Sequence, residues 1–270
     1  MSAAPALLVE RDGHIVTLVM NRPEIKNALN PEMVCRMADA WEMIDADEGV
    51  RAVILTGAEG DFCAGADLDK LVSRLVRGLP PEDEFEDRCR KDSGVIFKGL
   101  LRNYRLSKPL IAAIEGACIA GGTEILQATD IRVAGESAKF GISEARWGLF
   151  PMGGSTVRLR RQVPYTVAME MLLTGDHYSA REALRFGLIG RVVPDGSALA
   201  VAQEIAQRIA ANGPLAVRKI KQSVQETEAL PEAEALEVEF RIGMQVFASE
   251  DAKEGPRAFK EKRTPQFKGR

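Results

Sequence analysis

The sequence predicts an α/β fold, and three observations support that class. Short apolar runs typical of buried strands occur at residues 50–57 and 109–116, and a glycine-containing turn and a helical pattern follow each of them. The sequence after residue 179 has mostly helical patterns. Alternation of strand, loop and helix is typical of layered α/β proteins rather than of helix bundles. We therefore expect a β-rich core over residues 1–195 and a helical region over 196–270.

The first elements have clear local signals. Residues 7–20 contain two apolar runs around Asp12-Gly13, a dipeptide that favours a tight hairpin turn. Asn30 precedes Pro31, so it is expected to cap a helix that begins at the proline. One face of that helix is predicted to carry the buried positions Met33, Met37, Ala40, Trp41 and Ile44.

The remaining elements are predicted in the same way. Residues 109–135 indicate a buried strand, a sharp glycine turn, a helix and a further strand-like run. Ser179 and Glu182 form a capping-box pattern for a helix ending at Gly187, and three more helices are expected beyond residue 196. Residues 70–105 are charged and interrupted by prolines, so this segment is either a mobile lid or pocket wall, or a solvated surface loop.

Composition excludes several classes of function. The chain has 270 residues and a net charge of -3, so no overall basic field favours nucleic acid or an anionic membrane surface. No targeting signal or apolar run of membrane-spanning length is evident, and we expect a cytoplasmic protein. Four scattered cysteines indicate reduced core thiols rather than disulfides, and two isolated histidines argue against a metal site.

Three glycine-rich turns carry the residues that could perform chemistry. They read "GDFCAGADL" at 60–68, "ACIAGGTEIL" at 117–126 and "FGISEARWGLFPMGG" at 140–154. Glycine allows close approach of a backbone to a ligand, and N–H groups at a helix start favour a developing negative charge. Each turn also contains an acid, among them Glu124 and Glu144. Taken alone, Glu124 could instead cap its own helix, and Glu144 could pair with Arg146.

In this order the turns resemble those of the crotonase, or enoyl-CoA hydratase/isomerase, superfamily. The resemblance extends nearly from end to end, through "NRPEIKNALN", "VILTGAEGDFCAGADL", "KPLIAAIEGACIAGGTEILQATDIRVA", "FGISEARWGLFPMGGSTVRL", "ANGPLAV" and "EGPRAFKEKRTPQF". It implies a spiral of β-β-α units with two roughly perpendicular sheets. It also implies a helical C-terminal region that closes the pocket and assembles trimers or dimers of trimers.

The resemblance implies a role for each site residue. The backbone N–H groups of Ala66 and Gly121 would form an oxyanion hole for an acyl thioester oxygen. Glu124 would orient and deprotonate a water molecule, while Glu144 would deliver a proton to the α-carbon. Such an enzyme adds water in syn fashion across a trans-2-enoyl-CoA without a metal or other cofactor.

The same resemblance implies contacts with coenzyme A. Lys26 lies where the family's first loop passes the CoA nucleotide, and the backbone from Ala64 to Leu68 would bracket adenine and pantetheine. The residues of this strip are Ala64, Gly65, Ala66, Asp67 and Leu68. Phe259 and Lys262 match positions that reach CoA in family oligomers, sometimes from a neighbouring subunit. Lys26 could equally be a solvated lysine, and the last two could belong to an ordinary amphipathic helix.

Two further alternatives remain open from the sequence. An isomerase or another CoA-thioester lyase of the family would keep the oxyanion hole and use one glutamate, and a binding or scaffold member would have lost catalysis. The segment formed by residues 70–105 is longer than the corresponding segment of the short-chain hydratases. It lies where the family shapes its acyl pocket. We therefore expect crotonyl-CoA to be a poorer substrate than bulkier enoyl-CoAs.

Overall fold

Two β-sheets form the frame of the molecule. The computed structural model describes residues 4–270, except for the side chain of residue 75. Within that range the strands are β1 (Leu7–Asp12), β2 (Ile15–Met20), β3 (Ala52–Gly57), β4 (Leu110–Ile114), β5 (Ala117–Ile119), β6 (Ile131–Gly135), β7 (Lys139–Gly141), β8 (His177–Ser179) and β9 (Arg191–Val193).

The larger sheet has six strands in the order β1-β2-β3-β4-β6-β9. β1 pairs with β2 in antiparallel fashion, and every other neighbouring pair in this sheet is parallel. The smaller sheet has the order β5-β7-β8, with β5 parallel and β8 antiparallel to β7. Parallel neighbours need crossover connections, and helices supply most of them.

Helices account for most of the remaining chain. A π-helical turn at Leu68–Ser73 leads directly into α2, and short 3₁₀ turns occur at Pro23–Ile25, Ala58–Gly60 and Glu144–Trp147. The α-helices are α1 (Pro31–Ala46), α2 (Arg74–Val76), α3 (Glu84–Lys91), α4 (Gly94–Gly99), α5 (Gly121–Leu126), α6 (Ser155–Gln162), α7 (Tyr165–Thr174), α8 (Ala180–Phe186), α9 (Ala198–Ala211), α10 (Pro214–Thr227), α11 (Glu232–Phe247) and α12 (Glu250–Glu261).

Several local predictions are confirmed. The predicted hairpin is present, with its two-residue turn at Gly13-His14 because Asp12 pairs with Ile15. The Asn30 side chain caps α1 by accepting a hydrogen bond from the Met33 N–H at 2.9 Å. All five predicted core positions of α1 are buried. The capping box of Ser179 and Glu182 is present at the start of α8. The α/β class and the helical C-terminal region are confirmed as well.

The central strands of the large sheet are buried on both faces, as their apolar runs predict. Along β3, Val53 and Leu55 face a core cluster that includes α1, whereas Ile54 faces a second cluster with α9. Ala202 and Ile205 of α9 pack in that second cluster. The first helix of the C-terminal region therefore covers one face of the sheet. The functional division at residue 195 stays a prediction.

The segment 70–105 is helical and largely packed on α1. Trp41 of α1 donates its indole N–H to the Gly99 carbonyl oxygen at 3.0 Å. A Cβ at Gly99 would lie 2.5 Å from the Val34 carbonyl oxygen, so α4 approaches α1 too closely for any side chain there. Residues 76–78, 80–84 and 91–93 form the longer exposed stretches of the segment. Mobility of the segment stays a prediction.

The short strands are the elements that sequence patterns missed. β5, β7, β8 and β9 have three residues each, too few to show the alternation by which a strand is recognised. Their pairing comes from distant segments, which periodicity does not report.

Over the described residues, no helix is both long enough and apolar enough to cross a membrane.

Candidate active site

Two glycine turns meet at the centre of the site. Gly65 has φ +100°, and a Cβ there would lie 2.7 Å from the Ala120 Cβ and 3.2 Å from the Gly121 nitrogen. A Cβ at Gly121 would lie 3.5 Å from the Ala66 nitrogen. Only glycine lets the two backbones approach this closely. The turns at 60–68 and 117–126 are therefore brought together, as predicted.

The N–H groups of Ala66 and Gly121 are both free. The Leu29 N–H donates to the Gly65 oxygen and the Asp67 N–H donates to the Leu29 oxygen, each at 2.8 Å, so the Ala66 N–H faces away from Leu29. Gly121 is the first residue of α5, where an N–H has no partner within the helix. Among the hydrogen bonds of residues 4–270, neither N–H acts as a donor. Two adjacent free donors are suited to bind an oxyanion.

Glu124 is buried and held by another turn. Its side chain is in α5, yet its carboxylate accepts hydrogen bonds from the Gly153 N–H at 2.9 Å and the Ser155 N–H at 3.2 Å, at the start of α6. The alternative that Glu124 caps its own helix is therefore wrong. Burial raises the pKa of the Glu124 carboxyl, while these N–H groups favour its ionised form and oppose that shift.

Glu144 has a different environment. It begins the 3₁₀ turn Glu144–Trp147, and its buried Oε2 has no hydrogen-bond partner in the described chain. Burial, together with the charge of Glu124, raises the pKa of Glu144 to about 7. The alternative that Glu144 pairs with Arg146 is wrong, because the Arg146 guanidinium bonds instead to Asp176 and to the Thr174 carbonyl oxygen.

The two carboxyl groups are thus prepared for opposite roles. Glu124 has backbone donors that stabilise its negative charge, whereas Glu144 has an unpartnered oxygen and a carboxylate neighbour. When two interacting acids share a site, the proton resides on the one whose charge is less well stabilised. Near neutral pH, Glu124 is suited to be the base and Glu144 the acid.

A cavity of about 280 Å³ opens beside these groups. Four of the predicted residues, Ala64, Ala66, Leu68 and Glu144, line it. Glu124 and Gly121 are not on its wall, although Ala120, the neighbour of Gly121, is. The rest of the lining is formed by Ile119, Ala120, Ser143, Arg146, Trp147, Leu149 and His177. Its surface combines apolar side chains with one carboxyl group suited to donate a proton.

The predicted CoA-binding residues are not all at this cavity. The Lys26 carbonyl oxygen accepts the Ala64 N–H at 2.9 Å, so the first loop lies against the 64–68 strip. The Asp67 carboxylate caps the helical turn at 68–73 and pairs with Arg22 at 3.0 Å, which gives this side chain a structural role. Phe259, which is 87% exposed, and Lys262 belong to the end of α12 and do not line the cavity.

Two polar residues of the wall were not singled out from the sequence. The His177 Nε2 and the Ser143 Oγ lie 2.8 Å apart. Thirty-four positions separate these residues in the chain, and no spacing rule links them. The only sequence signal was that Ser143 directly precedes Glu144.

The cysteines are core residues, and the side chains that could bind a metal do not cluster in the described part of the chain. All four cysteines are buried and form no disulfide, as expected for reduced core thiols. No group of three or more His, Cys, Asp or Glu side chains within residues 4–270 is arranged to hold a metal ion.

Known proteins share this architecture. The sequence profile described as enoyl-CoA hydratase/isomerase matches residues 10–270. The enoyl-CoA hydratase EchA19 of Mycobacterium tuberculosis is 57% identical, with 100% of this chain and 99% of that protein covered. The (E)-benzylidenesuccinyl-CoA hydratase of Thauera aromatica is 35% identical, with 97% and 98% covered.

Solved structures agree in fold. A crystal structure of an enoyl-CoA hydratase from Mycobacterium tuberculosis has a TM-score of 0.87 at 38% identity, covering 99% of this chain and 100% of that one. An enoyl-CoA hydratase from Bacillus anthracis has a TM-score of 0.88 at 35% identity, covering 98% and 100%. The profile and both kinds of relative extend over almost the whole chain. The protein therefore belongs to the enoyl-CoA hydratase/isomerase family.

Proposed function

We propose that this protein is an enoyl-CoA hydratase, a carbon–oxygen lyase that adds water across a trans-2-enoyl-CoA to give a 3-hydroxyacyl-CoA. The observation that carries the proposal is the pairing of two free backbone donors, at Ala66 and Gly121, with two glutamates in unlike environments. An isomerase needs the donors and one acid, whereas hydration uses both acids. Full-length similarity to proteins named enoyl-CoA hydratases supports the same reaction.

The oxyanion hole lowers the barrier for attack on the double bond. When the oxygen of a water molecule adds to the β-carbon of an enoyl thioester and the water loses a proton, negative charge moves to the thioester oxygen. The N–H groups of Ala66 and Gly121 would bind that oxygen. Loss of one such donor typically costs about 2.7–4 kcal/mol of transition-state stabilisation. The close approach of the two turns at Gly65 fixes both donors before the substrate arrives.

The glutamates would move the two protons of the reaction. Glu124 would accept a proton from the water as its oxygen bonds to the β-carbon. Glu144 would give its proton to the α-carbon as the enolate collapses. The product gains one hydroxyl and one hydrogen, and the two carboxyl groups exchange protons with solvent to regain their starting states. No metal or redox cofactor is needed for this balance.

Coenzyme A would be held mainly by backbone. The strip from Ala64 to Leu68 borders the cavity, and Lys26 lies against it. The Lys26 side chain is 63% exposed and its Nζ is 3.6 Å from the Asp61 carboxylate, a loose ion pair that would be exchanged for one with a CoA phosphate. Phe259 and Lys262 would contribute from a neighbouring subunit of a homotrimer or a dimer of trimers. The location of these two residues on the exposed end of α12 supports that arrangement.

The acyl group is expected to be bulkier than crotonyl. Leu68, Trp147 and Leu149 give the cavity an apolar rim, and Trp147 is 68% exposed. A long or ring-bearing acyl chain would cover this rim and gain apolar contact. Rates across a panel of enoyl-CoAs should therefore rise from four carbons to larger groups, and a sharp peak at four carbons would contradict this expectation.

Hydration is tested directly with the purified protein and Glu124→Gln. Loss of the conjugated thioester absorbance would follow turnover of trans-2-enoyl-CoAs, with 3-enoyl-CoAs offered in parallel. We expect hydration by the wild type and a fall in kcat of about 10³-fold in Glu124→Gln, within the range for loss of a general base.

Glu115→Gln is the matched control. The Glu115 carboxylate also accepts a backbone N–H at a helix start, that of Ala198 at 3.1 Å, but it does not line the cavity. This variant should keep wild-type kcat. Conversion of 3-enoyl-CoAs without any hydration would favour the isomerase, and silence on every acyl-CoA would favour a binding member of the family.

A further inference from the structure

His177 lies between the turn that carries Glu144 and the turn that carries the Gly121 donor. It is the first residue of β8, and its Nε2 is 2.8 Å from the Oγ of Ser143, which is 7% exposed. Ser143 directly precedes Glu144 and forms the N-cap of the short turn that carries the acid. The side-chain hydrogen bond therefore connects β8 to the backbone that positions Glu144.

The ring of His177 also contacts the strand that holds the Gly121 turn in place. His177 pairs with Gly141 across β7 and β8, and a Cβ at Gly141 would lie 2.5 Å from the His177 Cδ2. The Gly141 carbonyl oxygen accepts the Ala120 N–H at 2.8 Å. Ala120 has φ +49°, an unusual conformation for alanine, and immediately precedes the donor Gly121. The imidazole thus packs on the strand residue that holds the oxyanion turn in place.

The charge of His177 suits this position. Burial, and next the positive charge of Arg146, lower the pKa of His177, so the ring is neutral near neutral pH. Arg146 is itself paired with Asp176. A permanently cationic side chain beside the Glu144 turn would favour ionisation of that acid. A neutral imidazole provides the hydrogen bond without this effect.

We propose that His177 is a positioning residue for the hydration reaction, acting through Ser143 on Glu144 and through Gly141 on the Gly121 donor. The inference rests on the proposed function, because the reaction defines what must be positioned. A displacement of about 1 Å in a catalytic group can reduce turnover about 100-fold. The expected signature is a loss of kcat without a matching rise in KM.

The first test compares His177→Ala with His177→Gln in the full-length protein. His177→Ala should lower kcat for a trans-2-enoyl-CoA by about 10-fold to 100-fold, with KM within about twofold. Glutamine carries an amide N–H that can reach the Ser143 oxygen, so His177→Gln should recover most of kcat. His14→Ala is the matched control, since His14 Nδ1 bonds to the Gly49 oxygen at the same 2.8 Å distance away from the cavity.

A double-mutant cycle separates positioning from general loss of structure. If His177 acts through Ser143, Ser143→Ala should lower kcat in the same direction, and the double variant should fall by less than the product of the two single effects. Ser143→Ala also keeps the test available if His177→Ala does not fold, because it leaves the ring on Gly141.

The outcomes distinguish this inference from the proposed function. A wild-type protein without hydratase activity would overturn the function itself. An active wild type with His177→Ala at wild-type kcat, or with a rise confined to KM, would overturn only the positioning role. Independent effects in the cycle, with no recovery in His177→Gln, would also overturn it.

Discussion

The glycine-rich turns of the candidate active site and the helical segment that begins at residue 74 both contain buried glutamate carboxyl groups, but their surroundings affect the charge in opposite ways. Glu86 of α3 accepts hydrogen bonds from Arg74, from Arg90 and from the Glu82 N–H. Burial alone would raise its pKa, yet these donors outweigh burial and hold the pKa at about 2. Glu144 has no such donor at Oε2 and faces Glu124, and its pKa is raised to about 7.

The difference shows what makes a buried acid a fixed anion or a group able to donate a proton. Burial disfavours the charged form in both regions, and the neighbours then decide the outcome. Two arginines make Glu86 a permanent anion that fastens α2 to α3. The Glu144 Oε2 has no partner in the described chain, cationic or otherwise. Glu144 can therefore hold a proton near neutral pH and give it up. The position of the arginines, rather than the glutamates themselves, therefore separates the two roles.

The largest expected effect comes from replacing each acid by its amide. Glu144→Gln should lower kcat by about 10²–10³-fold without loss of unfolding free energy, because Oε2 has no partner and the raised pKa means that ionisation of Glu144 opposes folding. Glu86→Gln should keep kcat in the folded protein but lower the unfolding free energy by about 1–3 kcal/mol, since Arg74 and Arg90 lose an acceptor. Steady-state kinetics and urea unfolding of both variants measure the contrast.

The comparison would be broken by the reverse pattern. A Glu144→Gln protein with wild-type kcat would show that another group donates the proton. A Glu86→Gln protein with unchanged stability and impaired kcat would place the 70–105 segment in catalysis. Lys91→Gln is a suitable surface control, since its exposed pair with Asp87 lies on the same helix and should contribute little to either property.

A smaller effect is expected from pH. Glu144 must be protonated to act as the acid, so kcat should be retained below about pH 7 and decline as pH rises through the Glu144 pKa. The decline should approach about tenfold for each further pH unit. A kcat profile measured at saturating substrate reports this group in the bound enzyme. A flat profile from pH 6 to pH 9 would show that Glu144 does not donate the proton.

Many of the helices and strands could be predicted from the sequence, because the patterns that indicate them involve residues close in the chain. The hairpin of β1 and β2, the Asn30 cap and the Ser179 capping box each involve residues that are close in the chain. The apolar runs at 52–57 and 110–114 are long enough to indicate strands buried on both faces. Gly121 and Glu124 were identifiable because one turn carries both of them.

The rest depends on contacts between distant segments. Glu124 is held by N–H groups 29 and 31 positions away, and only folding reveals that these donors favour its ionised form. Arg146 is two residues from Glu144, but the chain path turns it toward Asp176. His177 reaches the site through a three-residue strand. Neither periodicity nor a motif contains these pairings, so their effects on pKa values could not be predicted from the sequence.

The smallest expected effect is on acid stability, where the two regions should differ in sign. The folded-state pKa of Glu86, about 2, is below the ordinary value of 4.5. Its contribution is therefore present above about pH 4.5 and is lost as pH falls toward 2. Between pH 5 and pH 3.5, the stability difference between wild type and Glu86→Gln should shrink by on the order of 1 kcal/mol. For Glu144, the folded-state pKa is raised to about 7, so its charge opposes folding. The resulting loss of unfolding free energy grows as pH rises from about 4.5 to about 7. Urea unfolding across both ranges measures the two slopes, and a Glu86→Gln difference that stayed constant down to pH 3.5 would remove the arginine pair as the cause.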